Sequence, residues 1–184
     1  MSYILSLDVS AACTGWCVTC EGINFITGTI ETKPKNNRGE RLVIFAKALT
    51  KVLCEYRPIH IVIEDTFAGK NTKTLKILSE FAGAAKYICQ EVCGIDVAVV
   101  ANTKVKAYFK ARTKSTLFDF GCILFEEKDL TFKKDNDRMD SKLQLLYYLD
   151  IELDLYKYRF DKDYGFIYRG ALDEENCEIK CHKN

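Results

Sequence analysis

Two short apolar runs that each deliver a carboxylate constrain this chain more than any other feature. Tyr3–Val9 is apolar except for Ser6 and Asp8, and Ile59–Ile63 leads directly into Glu64. Apolar runs of this length bounded by turn signals read as buried strands. Between them, Thr14-Gly15 and Glu21-Gly22 mark turns, so Trp16–Thr19 and Ile23–Ile30 read as two further strands in a hairpinned meander. Leu42, Phe45, Ala46, Leu49, Val52, Leu53 and Tyr56 then recur on one face of a helix, which Pro58 stops. After Glu64 the helical pattern returns over Thr72–Val92 and ends at Gly94, and Ile95–Ala101 reads as a fifth strand. Asn102 or Thr103 is expected to cap a short helix through Phe109, and Thr113–Phe125 reads as another. Glu126–Asn136 reads as a charged loop, and Asp137 is expected to open a last helix with Leu143, Leu146 and Tyr147 towards the core. Residues after Asp154 show no clean period.

The order β-β-β-α-β-α-β-α-α-α implies an α/β chain with a mixed five-stranded sheet and helices on both faces. That is the arrangement of the ribonuclease H-like fold. Residues 1–154 are expected to form this domain, with 155–184 as a C-terminal extension. At 184 residues the chain is long enough to bury a core without staples. Its nine cysteines are odd in number and lack matched zinc-finger pairs, which favours free thiols. No run approaches the length of a membrane span, and the first residues lack a signal-peptide pattern, so a cytoplasmic protein is expected. Gly69-Lys70-Asn71 lacks the spacing and hydroxyl of a phosphate loop, so no nucleotide cofactor is expected.

If the strands ending in Asp8 and Glu64 run parallel side by side, both carboxylates emerge at one sheet end, where α/β sites usually lie. Asp137 and Asp140 are three apart and share a helical face. Docked beside the sheet, that helix would complete a group of four carboxylates. Such a group repels itself unless cations neutralise it. Oxygen-only donors suit Mg²⁺ or Mn²⁺, and two such ions per site support phosphodiester hydrolysis without a His base or Ser nucleophile. Taken singly, each acid has a bland reading, and the Asp137/Asp140 pair at a helix start could be a dipole match only.

Three motifs resemble the RuvC family of Holliday-junction resolvases. The first is Ile4-Leu5-Ser6-Leu7-Asp8-Val9-Ser10-Ala11-Ala12-Cys13-Thr14-Gly15-Trp16; the second runs from Ile61-Val62-Ile63-Glu64 through Phe67 to Lys70-Asn71; the third is Asp137-Arg138-Met139-Asp140. The resemblance spans about Tyr3 to about Asp150 and departs where Val9-Ser10 replaces the family's usual Pro-Gly. It implies that Asp8, Glu64, Asp137 and Asp140 form the metal-binding catalytic set, with Mg²⁺ (or Mn²⁺), two ions per site. It implies that Lys106 and Lys114 stand near the scissile phosphate, with Lys110 or Arg112 as alternatives for the second, and that Phe67 stacks on an unpaired base. Asp135 is a competing carboxylate beside Asp137. The family further implies a branched-DNA substrate and a C2 homodimer, which the small residues Ala82-Gly83-Ala84-Ala85 permit. A short chain rich in Cys and Lys resembles a bacteriophage member more than a bacterial one. Rival readings are another ribonuclease H-like nuclease, a non-cleaving junction binder, and an actin-like ATPase, for which the chain is too short.

The net charge of +1 conceals a division. Asp65–Thr116 carries nine Lys/Arg against four Asp/Glu, and no acid interrupts Lys104, Lys106, Lys110, Arg112 and Lys114. Asp135–Asn184 carries eight against twelve. With Phe67, Lys70 and Asn71, the basic run is the expected DNA-binding face.

Overall fold

The computed structural model describes residues 2–20, 22, 24–33, 35–65, 72–154, 159–161 and 165–167. Five strands, β1 (Tyr3–Asp8), β2 (Cys13–Cys20), β3 (Asn24–Glu31), β4 (His60–Glu64) and β5 (Ala98–Val100), form one sheet in the order β3-β2-β1-β4-β5. The first three form the antiparallel meander, while β1–β4 and β4–β5 are parallel. The sheet is therefore mixed, as the element order implies, and the fold is ribonuclease H-like α/β.

Strand alternation sends Leu5, Leu7, Ile61 and Ile63 to one face, where they pack with α1 (Arg38–Tyr56) and α2 (Thr72–Cys93). Helix α1 starts at a capping box between Asn37 and Glu40 and ends at Arg57, whose left-handed φ of 46° closes a bond from its N–H to the Leu53 carbonyl. It buries Phe45, Leu49, Val52 and Leu53, four of the residues on the expected face. Of the small residues in α2, Ala82 and Ala85 face the core, while a Cβ on Gly83 would meet open space.

The opposite face carries α3 (Asn102–Tyr108), α4 (Lys114–Leu124) and α5 (Phe132–Tyr147), packed on Ile4, Cys17, Val62 and Val100. Helix α5 lies against β1, β2 and β3 on one side and α3 and α4 on the other. It buries every residue from Met139 to Tyr147 instead of a single stripe. Gly121 lets α4 come this close, because a Cβ there would stand 2.3 Å from Met139 Sδ. A π-helical turn, Tyr148–Glu152, continues α5.

Three expectations change. Helix α5 begins at Phe132, so Lys133–Asn136 is helical and not loop, and Asp137 does not open the helix. Helix α3 has Ala101 at its cap with no side-chain bond, so neither Asn102 nor Thr103 caps it. Beyond residue 154, β6 (Arg159–Asp161) and β7 (Gly165–Ile167) pair antiparallel in a segment that shows no strand pattern in sequence. The described cysteines are all free thiols, as expected. Cys177 and Cys181, two of the nine cysteines, lie outside the described residues. Among the described residues, no helix is long and apolar enough to cross a membrane.

Candidate active site

Strands β1 and β4 pair in parallel with Leu7 opposite Ile63, so the next residues, Asp8 and Glu64, leave the sheet side by side. The two carboxyl groups stand close enough that the charge of Glu64 raises the pKa of Asp8. The connection after β1 is tied down locally. Ser10 N–H donates to Thr14 Oγ1 (3.1 Å), Cys13 N–H donates to Ser10 Oγ (3.1 Å), and Arg41 binds the Ala11 carbonyl and Thr32 Oγ1. This network fixes the Val9-Ser10 turn without Pro-Gly.

Helix α5 brings the other two acids to the same edge. Asp8 is paired with Gly15 across β1 and β2, and α5 comes close to the sheet at Gly15: a Cβ there would stand 1.9 Å from the Asp137 carbonyl oxygen. Burial, and next the neighbouring Asp137 carboxylate, pushes the Cys13 thiol pKa up to about 12. Asn136 Nδ2 donates to Asp137 Oδ1 at 2.9 Å. Because α5 starts at Phe132, Asp137 and Asp140 lie beyond its first turn, where a helix dipole has little hold. The dipole role falls instead to Asp135, whose Oδ2 accepts from Thr131 N–H at 2.9 Å at the helix start. Asp135 thus caps the helix and does not share the position of Asp137.

Sequence reasoning missed Gln144. It lies one turn after Asp140 on α5, 3% exposed. Its Nε2 donates to Ser6 Oγ (3.0 Å) and stands 3.4 and 3.5 Å from the carbonyls of Leu7 and Val62. Those residues immediately precede the carboxylate ends of β1 and β4, so Gln144 ties the helix to both strands just below the acids. The only advance signal is a polar residue within an otherwise apolar helical stretch.

Lys114 is the cation among these acids. Thr113 caps α4 and exchanges a capping box with Thr116, which fixes the backbone of Lys114 at the first helical position. A cation there opposes the helix dipole by roughly 0.3–1 kcal/mol, so helix stability does not account for it. Its Nζ meets Asp140 Oδ2 at 2.8 Å, with the Asp140 side chain 4% exposed. Burial pushes the Asp8 pKa well above the usual carboxylate range, Glu64 and Asp140 add to the rise, and Lys114 opposes it. Burial likewise raises Asp140 against the pull of Lys114. Burial lowers the Lys114 pKa, but Asp140, Asp8 and Glu64 together outweigh it and carry it above its ordinary value.

A cleft of about 230 Å³ runs between Asp8, Ser10, Glu64, Asp137 and Lys114. A neighbouring cleft of about 340 Å³ is lined by Glu64, Asp65, Asn102, Lys106 and Lys114. Lys106 and Lys114 both line this second cleft, whereas Lys110 and Arg112 line neither of the two. Lys104, Lys110 and Arg112 are exposed on α3 and the turn that follows it. Phe67, Lys70 and Asn71 lie outside the described residues.

The acids offer only oxygen donors, which fits hard divalent cations. Among the described residues, no three His, Cys, Asp or Glu side chains stand together as a finished metal cage. The ammonium of Lys114 instead takes up one acid, while burial, ahead of the neighbouring charges, raises the pKa values of Asp8 and Asp140.

Residues 4–116 match the family "Crossover junction endodeoxyribonuclease RuvC". The chain belongs to the RuvC family. The match covers Asp8, Glu64, Lys106 and Lys114, while Asp137 and Asp140 follow it. Among curated RuvC proteins, that of Afipia carboxidovorans is 32% identical over 107 residues, 56% of this chain and 62% of the relative. The RuvC of the Wolbachia of Brugia malayi is 37% identical over 79 residues, 40% of this chain and 49% of the relative. The chain thus spans less than two thirds of the length of these relatives. The fold is similar to that of Thermus thermophilus RuvC solved in complex with Holliday junction substrate, with a TM-score of 0.67 and 15% identity over 82% of this chain and 96% of that one. It is also similar to the yeast mitochondrial Holliday junction resolvase Ydc2, with a TM-score of 0.50 and 13% identity over 77% and 75% of the two chains.

Proposed function

We propose that this RuvC-family chain is a structure-selective endonuclease that resolves four-way DNA junctions by paired, symmetric nicks. The observation that carries this reading is the convergence of Asp8 and Glu64, from adjacent parallel strands, with Asp137 and Asp140 from α5. The junction-bound Thermus relative supports branched DNA as the substrate. Asp8, Glu64, Asp137 and Asp140 are the residues that would hold Mg²⁺, or Mn²⁺ in its place, as two ions per site. Bound there, the ions supply an activated water and stabilise the leaving oxygen of a phosphodiester.

The chain's own residues bind and orient the DNA. Lys106 and Lys114 flank the clefts and offer charge to the scissile phosphate. Lys70, Asn71, Lys104, Lys110 and Arg112 hold neighbouring phosphates, and Phe67 stacks on an unpaired base near the crossover. Two nicks in opposed strands need two sites, which a C2 homodimer supplies. The outer face of α2 suits that contact, because Gly83 leaves a gap one turn before the exposed ring of Tyr87. Residues 1–154 form the resolvase domain in this reading, and 155–184 extend it. The Lys- and Cys-rich composition fits a bacteriophage member acting in the host cytoplasm.

The test compares cutting of a synthetic four-way junction with cutting of linear duplex of the same sequence. Paired nicks in the junction, a spared duplex, and loss of cutting in EDTA are expected. Equal cutting of both substrates would leave a general nuclease, and cutting that persists in EDTA would remove the metal ions.

A further inference from the structure

The two lysines beside the acids stand in different relations to them. Lys106 lines the neighbouring cleft, whereas Lys114 is bonded directly to an acid through a 2.8 Å contact to Asp140 Oδ2. That contact is not a surface accident. Asp140 is buried in α5 among residues that are themselves buried, and α4 is held at its start by the Thr113–Thr116 capping box. The side chain of Lys114 is 43% exposed, so its stem has an open side as well as a buried partner. A long flexible stem anchored on a fixed backbone has two places to put its charge, the acids or solvent. Lys114 also lines the cleft with Asp8, Glu64 and Asp137, so its single charge acts on more than one acid.

We propose that Lys114 is an internal counter-ion that occupies the place of a divalent cation at Asp140, and that arrival of the cation turns the ammonium out of the acids towards the DNA. This rests on the reading that the four carboxylates hold divalent cations. While Lys114 Nζ holds Asp140 Oδ2 at 2.8 Å, that carboxylate oxygen is taken and not open to a cation. A cation and an ammonium at the same carboxylate repel each other, so the two occupy Asp140 in turn. The released lysine then lies within one side-chain length of the cleft that would take the scissile phosphate. Metal loading and phosphate binding become coupled through one side chain.

The experiment uses the full chain without DNA. Mn²⁺ binding is measured by electron paramagnetic resonance on wild type, Lys114→Met and Lys114→Arg. Lys114→Met should bind Mn²⁺ about tenfold more tightly, because a competing charge is gone, and Lys114→Arg should return towards wild type. In parallel, the wild type is acylated with a lysine-selective reagent with and without Mn²⁺. Labelling of Lys114 should rise severalfold with Mn²⁺, while the exposed Lys47 and Lys51 of α1 stay constant. The acylation arm needs no variant, so it holds even if Lys114→Met fails to fold. Wild type that binds Mn²⁺ with no change in Lys114 labelling, or Lys114→Met with equal or weaker affinity, overturns the counter-ion role alone. Wild type that binds no Mn²⁺ overturns both this role and the metal site beneath it.

Discussion

The carbonyl oxygen of Asp137 occupies the space that a side chain on Gly15 would need; the two would be 1.9 Å apart. Gly15 also stands opposite Asp8 across the β1–β2 ladder. One missing methyl group therefore sets the distance between an acid of the sheet and the helix that brings two more. The neighbouring atom is backbone, so α5 must shift to admit any other residue. Gly15→Ala is expected to reduce junction cutting by about 10²-fold, the cost of misplacing reacting groups by about 1 Å. It should also weaken Mn²⁺ binding, while far-UV circular dichroism stays native. Native-level cutting by Gly15→Ala would show that the close contact does not position the acids.

Asp8 gives a stability prediction whose sign is opposite to that of an ordinary ion pair. Its pKa in the fold lies well above the ordinary 3.8, through burial and then the charges of Glu64 and Asp140. The folded chain keeps this proton to a higher pH than the unfolded chain, so stability falls as pH rises from about 3.8 through the folded value. Lys114 works the other way, adding stability below its ordinary 10.5 that is lost only above it. Metal-free wild type is therefore expected to lose thermal stability as the pH rises above about 3.8. Asp8→Asn should lose less, and at the upper end should melt about 2–4 °C higher, the change that roughly 1 kcal/mol makes in a chain of this size. Mg²⁺ should raise the melting temperature of wild type and not of Asp8→Asn, which should bind junctions without cutting them. A lower melting temperature for Asp8→Asn at the alkaline end contradicts this account.

Gln144 carries a prediction about support beneath the acids. Replacing it with Met keeps its length and removes the donor to Ser6 Oγ and the two strand carbonyls. Buried groups left without partners cost about 1–3 kcal/mol. Gln144→Met should therefore lower the midpoint of urea unfolding and raise the Mg²⁺ concentration needed for half-maximal cutting. A shift in the midpoint with an unchanged Mg²⁺ requirement would confine Gln144 to a structural part.

The order of strands and helices was legible because it rests on local patterns: alternation, turn residues, and the stripe of Phe45, Leu49, Val52 and Leu53. Asp8 and Glu64 were legible for the same reason, since each closes an apolar run and parallel pairing then places them together. The start of α5 was not. Lys133, Lys134, Asp135 and Asn136 look like loop because no apolar residue marks the period, and the structure holds them in a helix through the Asp135–Thr131 cap. Nor was the burial of Lys142 and Gln144 visible, because it depends on contacts far along the chain. Lys142 reaches Glu127 at 2.8 Å and lies 3.7 Å from the centre of the Phe125 ring. A cation placed over an aromatic face and paired with one acid can be buried at tolerable cost, yet nothing near it in sequence announces either partner.

The basic run from Lys104 to Lys114 yields a prediction that separates charge from chemistry. If Lys104 and Arg112 hold phosphates, the logarithm of junction affinity falls linearly with the logarithm of salt, and neutralising either residue lowers the slope by about one. Lys104→Ala and Arg112→Ala should do this and leave the metal requirement unchanged, since neither lines the clefts beside the acids. Phe67→Ala should leave the slope intact and slow junction cutting about tenfold or more, in line with roughly 1–3 kcal/mol for a stacked base. Titrations at several salt concentrations, with cutting rates measured on the same junction, read all three variants. A slope that ignores Lys104 and Arg112 makes the basic run a solvated helix face, and the DNA must then be held elsewhere on the chain.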